Sequence, residues 1–125
     1  AREDYEKLAL KYWPGALTMI IPSSKKENSI ITSMDFTLGL RIPNSYMAQS
    51  LMKETGPLLT SSANISGSTG SITAKGIALD FPSINILGPV PWEKGSGKAS
   101  TIISWEKNRD WRLIRQGEVL IKEML

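Results

Sequence analysis

The sequence holds neither cysteine nor histidine among its 125 residues, and the two absences remove several chemistries together. Without thiols there is no disulfide framework and no cysteine nucleophile. Without imidazole there is no Ser-His-Asp triad, and ordinary zinc sites need one or the other ligand. Long apolar runs are missing as well. Stretches such as Met19-Ile20-Ile21 fall far short of the roughly 20 residues that cross a bilayer, so no membrane association is expected. The amino-terminal stretch is charged and has no apolar centre, which speaks against a signal peptide. The lack of cysteine is compatible with a cytoplasmic location. The catalytic tools left to the chain are hydroxyls, amides, lysine and arginine, which work by positioning and electrostatic stabilisation, as in phosphoryl and nucleotidyl transfer.

What is present suits one soluble globular domain over residues 1–125, since 41% of the sequence is hydrophobic and the length leaves little room for two independent cores. Fifteen Lys and Arg against twelve Asp and Glu give a net charge of +3, a modest bias toward anionic partners. Its distribution says more. Lys107, Arg109, Arg112 and Arg115 crowd together near the carboxyl terminus, and Lys94 and Lys98 flank a Gly-Ser-Gly loop. Phosphate or RNA is the natural counterpart of such clusters, a solvated basic face the plain alternative.

The periodicity predicts a helix over residues 2–11, where Tyr5, Leu8 and Tyr12 recur at i, i+3 and i+7 among charged positions, ended by Pro14-Gly15. Residues 17–21 read as a buried strand with Leu17, Met19 and Ile21 toward the core, followed by Pro22 and a polar loop over 23–28. Residues 37–42 form a second strand ended by Pro43. Asn44 is the expected N-cap of a helix carrying Met47, Leu51 and Met52, closed by Gly56. A strand over 58–61, a helix over 73–81, a short strand over 84–87 and a Gly/Pro loop over 88–98 follow. Residues 101–105 and 111–114 read as a hairpin, and 119–125 as a terminal helix. Strands alternating with helices, plus one hairpin, predict an α/β layered domain with a mixed sheet.

Two features point to chemistry. Ser62-Ala63-Asn64-Ile65-Ser66-Gly67 places small donors and acceptors after an apolar run, Leu58-Leu59, as a ligand-facing strand end would. A plain turn in which Asn64 caps its own backbone is the alternative. Arg41 stands in Leu38-Gly39-Leu40-Arg41-Ile42, where a guanidinium needs an anionic partner or a route to water. Strand alternation puts Thr37, Gly39 and Arg41 on one face.

Five segments then occur in a telling order. They are Tyr12-Trp13-Pro14-Gly15-Ala16-Leu17-Thr18, Thr37-Leu38-Gly39-Leu40-Arg41-Ile42-Pro43, Pro57 through Gly67, Ala99-Ser100-Thr101-Ile102-Ile103 and Leu113-Ile114-Arg115-Gln116-Gly117. In order and rough spacing the chain resembles the YrdC-like threonylcarbamoyl-adenylate synthases, nearly end to end. The resemblance implies a three-layer twisted open mixed sheet of the YrdC/RibB-like kind. It also implies that the family's opening part, a strand ending in Tyr-Gly-Leu and then a Lys-x-Arg pair, has no counterpart here, so that this is the carboxy-terminal two-thirds of the family domain and is expected to be catalytically incompetent alone.

By the same resemblance, Arg41 binds the threonine carboxylate, Ser62 and Ser100 face threonine, and Thr37, Asn64 and Arg115 contact ATP, all lining one cleft. No catalytic residue and no protein metal ligand is assigned. Where the family often has a Thr, this chain has Ile72, leaving Thr73 or the backbone to make that contact. The implied reaction condenses threonine with bicarbonate and lets the carbamate attack the α-phosphate of ATP, with Mg²⁺ riding on the nucleotide because no carboxylates cluster to cage one. Pyrophosphate leaves, and a separate threonylcarbamoyl transferase uses the adenylate to modify an adenosine in tRNA. The alternatives are a non-catalytic RNA-binding module using the basic surface, an inactive remnant of the same fold, and, as a minor enzymatic option, the related carbamoyl-adenylate domain of hydrogenase maturation proteins.

Overall fold

The computed structural model describes residues 2–23 and 36–120. Its elements are α1 (Arg2–Tyr12), β1 (Leu17–Pro22), β2 (Thr37–Leu40), α2 (Tyr46–Thr55), α3 (Ala74–Asp80), β3 (Thr101–Trp105) and β4 (Trp111–Arg115). The chain divides into two compact units, one formed by Ala1–Gln49 with Lys98–Leu125 and the other by Ser50–Gly97.

The first unit holds a mixed, open, four-stranded sheet in the order β2-β1-β3-β4. β1 pairs antiparallel with β2, setting Met19 opposite Leu40 and Pro22 opposite Thr37. It pairs parallel with β3, Leu17 beside Thr101 and Met19 beside Ile103. β3 and β4 form the expected hairpin, with a register shift between Ile102 and Ile103. The period of two along β1 and β3 sorts the sheet into two faces. Leu17, Met19 and Ile103 point to one of them, are 0–2% exposed, and make the core with Leu8 of α1, flanked by Tyr12, Trp13 and Trp111. Full burial of such a side chain is worth about 1.5–3 kcal/mol. On the same side Tyr5 of α1 meets the hairpin edge-on, its ring 5.2 Å from Trp105 and 5.7 Å from Trp111.

The fully buried Thr101 would be a liability on this apolar face without partners. Its hydroxyl donates to the Val119 carbonyl at 2.6 Å and accepts from the Gly117 amide at 3.0 Å, so the chain leaving β4 is tied back under β3.

Several expectations need correction. β2 stops at Leu40, so Arg41 lies one residue beyond the strand rather than inside it. The cap of α2 is Ser45, whose Oγ accepts from the Ala48 amide at 3.3 Å, three residues on, where an N-cap side chain reaches. Asn44 sits one position too early. Gly56 does close α2, its N–H donating to the Met52 carbonyl at 2.9 Å.

In the second unit, the helix expected over 73–81 is α3, with Thr73 standing as its N-cap rather than its first helical residue: the Thr73 hydroxyl accepts from the Gly76 amide at 3.1 Å, and the helix buries Ile77. The strands expected over 58–61 and 84–87 do not form. Leu58, Leu59, Ile84 and Leu87 are exposed, and a short apolar run with neither alternation nor a buried face has nothing to fix a pairing register. Val119 and Leu120 are not helical, and the rest of the expected terminal helix, like residues 24–28 of the polar loop, lies outside the described residues.

Candidate functional site

The first unit gathers its site candidates at the edge of the sheet where β1 and β3 begin and β2 and β4 end. The turn after α1 and the start of β1 form the spine of this edge. The Gly15 carbonyl accepts from Arg41 Nε at 2.9 Å, and the next carbonyl, Ala16, accepts the Thr101 amide at 2.9 Å. Gly15 N–H in turn donates to the Ile42 carbonyl at 2.8 Å, which holds the chain carrying Arg41 against the turn. Arg41 is exposed and makes no ion pair among the described residues. With Nε spent on a neutral carbonyl, its two terminal nitrogens remain as a fork for a planar anion.

On the other side of the spine stand Ser100 and Arg115. The Arg115 guanidinium straddles Ser100, donating to its carbonyl from Nε at 3.1 Å and from Nη2 at 2.9 Å, and from Nη2 to its hydroxyl at 3.2 Å. Ser100 is buried and Arg115 exposed, so the guanidinium is anchored on one flank and open to solvent on the other. Gly117 makes this approach feasible. A Cβ there would run into the backbone of Ala99, Ser100 and Thr101, and the following amide, Glu118, bonds the Ala99 carbonyl at 3.0 Å. Arg115 and Ser100 are therefore brought together as one structure, a pairing their separation in sequence did not announce.

Thr37 is not brought to this edge. It opens β2 opposite Pro22, four residues from Arg41 and about 13 Å away along a strand. It does share a face with Thr18 and Ile20, because residues opposite one another in an antiparallel pair project alike, and Ile20 sits opposite Gly39 and Pro22 opposite Thr37.

One residue was missed. The Thr18 hydroxyl lies 2.9 Å from Ser100 Oγ, on the face of β1 turned away from Leu17 and Met19. The alternation that assigned Leu17, Met19 and Ile21 to the core already placed Thr18 on the opposite face. That was the available signal.

The basic cluster of the carboxy-terminal hairpin is not one patch. Arg112 pairs with Glu106 at 2.9 Å, Arg115 is folded onto Ser100, and Lys107 and Arg109 occupy the turn.

The second unit carries Ser62 and Asn64. Ser62 is exposed, and its hydroxyl makes no hydrogen bond among the described residues. Asn64 uses its amide nitrogen locally, donating to the carbonyls of Ile65 at 3.2 Å and Ser68 at 3.3 Å. That is the self-capped turn weighed as the alternative, with Gly67 at φ 79° supplying the left-handed step. The Asn64 carbonyl oxygen accepts nothing among the described residues. Thr73 has its oxygen committed to the α3 cap, while Ile72 is largely exposed. Near them lies an apolar cavity of about 590 Å³, lined by residues that include Ile72, Lys75, Ala78, Ile86, Val90 and Trp92. Neither Ser62 nor Asn64 lines it.

Comparison with known proteins places this geometry in context. The family model Sua5_yciO_yrdC, described as Telomere recombination, matches residues 1–117. A threonylcarbamoyl-AMP synthase of Bacillus subtilis is 35% identical over 107 residues, covering 83% of this chain and 31% of that protein. One from Pyrococcus abyssi is 36% identical over 80 residues, covering 63% and 24%. The crystal structure of P. abyssi Sua5 complexed with L-threonine superposes with a TM-score of 0.82 at 32% identity, over 98% of this chain and 36% of the other. A variant of the same protein gives 0.83. The chain thus spans about a quarter to a third of the length of the curated relatives it matches. With the family model covering nearly the whole sequence, the chain belongs to the Sua5/YciO/YrdC family.

Proposed function

We propose that the protein carrying this chain is an L-threonylcarbamoyl-adenylate synthase, a nucleotidyltransferase acting in the cytoplasm. In this reading it makes threonylcarbamoyl-AMP and pyrophosphate from threonine, bicarbonate and ATP. The observation that carries the reading is the sheet edge where Arg41 and the Ser100–Arg115 pair flank the Gly15-Ala16 turn, in a chain 32% identical to a threonine-bound relative.

The chemistry follows from what each group has left to give. The threonine amine attacks the bicarbonate carbon, a C–N bond forms and water leaves, giving an N-carboxylate. One of its oxygens attacks the α-phosphorus of ATP, and the bond from that phosphorus to the bridging oxygen breaks to release pyrophosphate. Both partners are anionic, so the protein's task is to neutralise charge and fix geometry. Arg41 offers its terminal fork to the threonine carboxylate. Ser100 and Ser62 supply short hydroxyl contacts to threonine. Arg115, held by Nε and Nη2, turns its remaining nitrogen to the ATP phosphates, and the free carbonyl oxygen of Asn64 and the hydroxyl of Thr37 contact the nucleotide. A Mg²⁺ ion accompanying the nucleotide would offset part of the charge on its phosphates. The adenylate is passed to a separate transferase that modifies an adenosine in tRNA.

The test is pyrophosphate release by the intact protein. Release that requires both threonine and bicarbonate is expected; ATP cleavage indifferent to either would contradict the proposal.

A further inference from the structure

Ser100 Oγ has three directions for hydrogen bonding: one for its own proton and two for lone pairs. The structure fills two of them. A guanidinium can only donate, so Arg115 Nη2 at 3.2 Å occupies a lone pair. Thr18 Oγ1 at 2.9 Å occupies a second direction. The third is what Ser100 can present to a ligand, and its sense is tied to Thr18. When Thr18 donates, Ser100 points its own O–H outward; when Thr18 accepts, Ser100 offers only a lone pair. The first arrangement sends two donations into the Ser100 oxygen, one from a cation, and such donations polarise the remaining O–H into a stronger donor.

The backbone gives the pair little slack. Thr18 is on the central strand β1, directly paired with Ile102 of β3. Thr101, next to Ser100, is fully buried, with its amide on the Ala16 carbonyl and its hydroxyl on Val119. The hydroxyl-to-hydroxyl distance is therefore set by the sheet itself. Opposite Ile20, Gly39 presents no side chain beside Thr18, and a Cβ there would meet the Thr18 methyl at 3.9 Å, so the neighbouring strand does not push the Thr18 side chain aside.

We infer that Thr18 is a positioning residue of the threonine subsite: its hydroxyl donates to Ser100 Oγ and thereby aims the Ser100 O–H at an acceptor oxygen of bound threonine. The inference rests on the proposed assignment of Ser100 to threonine. Valine at position 18 keeps the branched shape but cannot donate, so the Ser100 proton becomes free to swing between two directions and the subsite loses its fixed polarity.

The experiment compares the intact protein with its Thr18→Val and Thr18→Ser forms by pyrophosphate release, varying threonine and ATP separately, with thermal unfolding of each form alongside; Thr18→Ala replaces Thr18→Val should the latter not fold. Thr18→Val is expected to raise the KM for threonine about threefold to tenfold, the effect of one ordinary hydrogen bond, and to leave the KM for ATP within about twofold. Thr18→Ser, which restores the donor, is expected to return the threonine KM to within about twofold of the unaltered protein. A Thr18→Val form with an unchanged threonine KM, or with both KM values raised alike, would overturn the inference while leaving the function reading intact. An unaltered protein that releases no threonine-dependent pyrophosphate would overturn both, and that arm is read before any variant is compared.

Discussion

At the scale of single residues, the candidate site is built from groups already half committed to their own backbone. Arg41 spends Nε on Gly15, and Arg115 spends two nitrogens on Ser100. Anchoring of this kind fixes a guanidinium before its ligand arrives and reduces the side-chain entropy lost on binding. Arg41→Lys should therefore be a poor substitute, because a lysine offers a point charge and cannot hold Gly15 while presenting a fork. The apparent KM for threonine is expected to rise about tenfold or more in Arg41→Ala, on the order of 1.4 kcal/mol, and an unchanged KM removes Arg41 from the site. Ser62 and Asn64 make a contrasting pair. Ser62 makes no hydrogen bond among the described residues, so Ser62→Ala should leave the unfolding midpoint unmoved while lowering adenylate formation. Asn64→Ala forfeits two bonds of its own turn and is expected to cost about 1 kcal/mol of stability as well, which denaturant titration would show. The Ser-Ala-Asn run was legible as polar and turn-forming, but whether its amide faces a ligand or its own backbone depends on one rotamer, which no pattern encodes. Thr18 was hidden for a related reason. Its hydroxyl gains meaning only when β3 brings Ser100 alongside.

At the scale of elements, the parts with strong periodicity stand where the residue pattern puts them: α1, β1, the β3–β4 hairpin and the body of α3. What failed were short apolar runs. Residues 58–61 and 84–87 have strand-like composition, yet a strand needs a neighbour to pair with, and that requirement is not local. Two elements carry predictions. Gly117 follows β4 where a Cβ would meet the backbone of Ala99 and Ser100, so Gly117→Ala should both destabilise the first unit and displace Ser100 from Arg115. Proteolytic resistance and threonine KM are expected to fall and rise together. Tyr5 of α1 packs edge-on against Trp105 and Trp111, and burial, followed by the charge of Asp4, raises its phenol pKa above the ordinary 10.0. A raised folded pKa means that the folded state holds the proton more tightly. The resulting stability is complete below the unfolded value near 10 and is lost as pH climbs through the folded value. Alkaline unfolding above about pH 10 should accordingly be steeper in the unaltered protein than in Tyr5→Phe, and identical slopes would contradict this account of the helix–hairpin contact.

For the whole molecule, the two faces of the sheet divide the labour that the proposed transfer reaction asks of a chain without imidazole or thiol. One face is closed by α1 and the aromatic cluster of the hairpin. The other carries Thr18, Thr37 and Ser100, and at its edge two arginines hold neutral carbonyls rather than carboxylates. Such arginines keep nearly all their positive charge for an incoming anion, which an ion-paired arginine such as Arg112 with Glu106 does not. The exposed Arg112 pair should matter little, so Arg112→Ala is expected to shift stability by less than about 1 kcal/mol and leave turnover unchanged. The central claim is that this surface serves an adenylation joining threonine and bicarbonate, and product identity tests it most directly. Incubating the intact protein with ATP, threonine and ¹³C-labelled bicarbonate should yield an adenylate whose mass carries both the threonine and the label, formed only when both are present. An adenylate without the label, or none at all while ATP is consumed, would contradict the account.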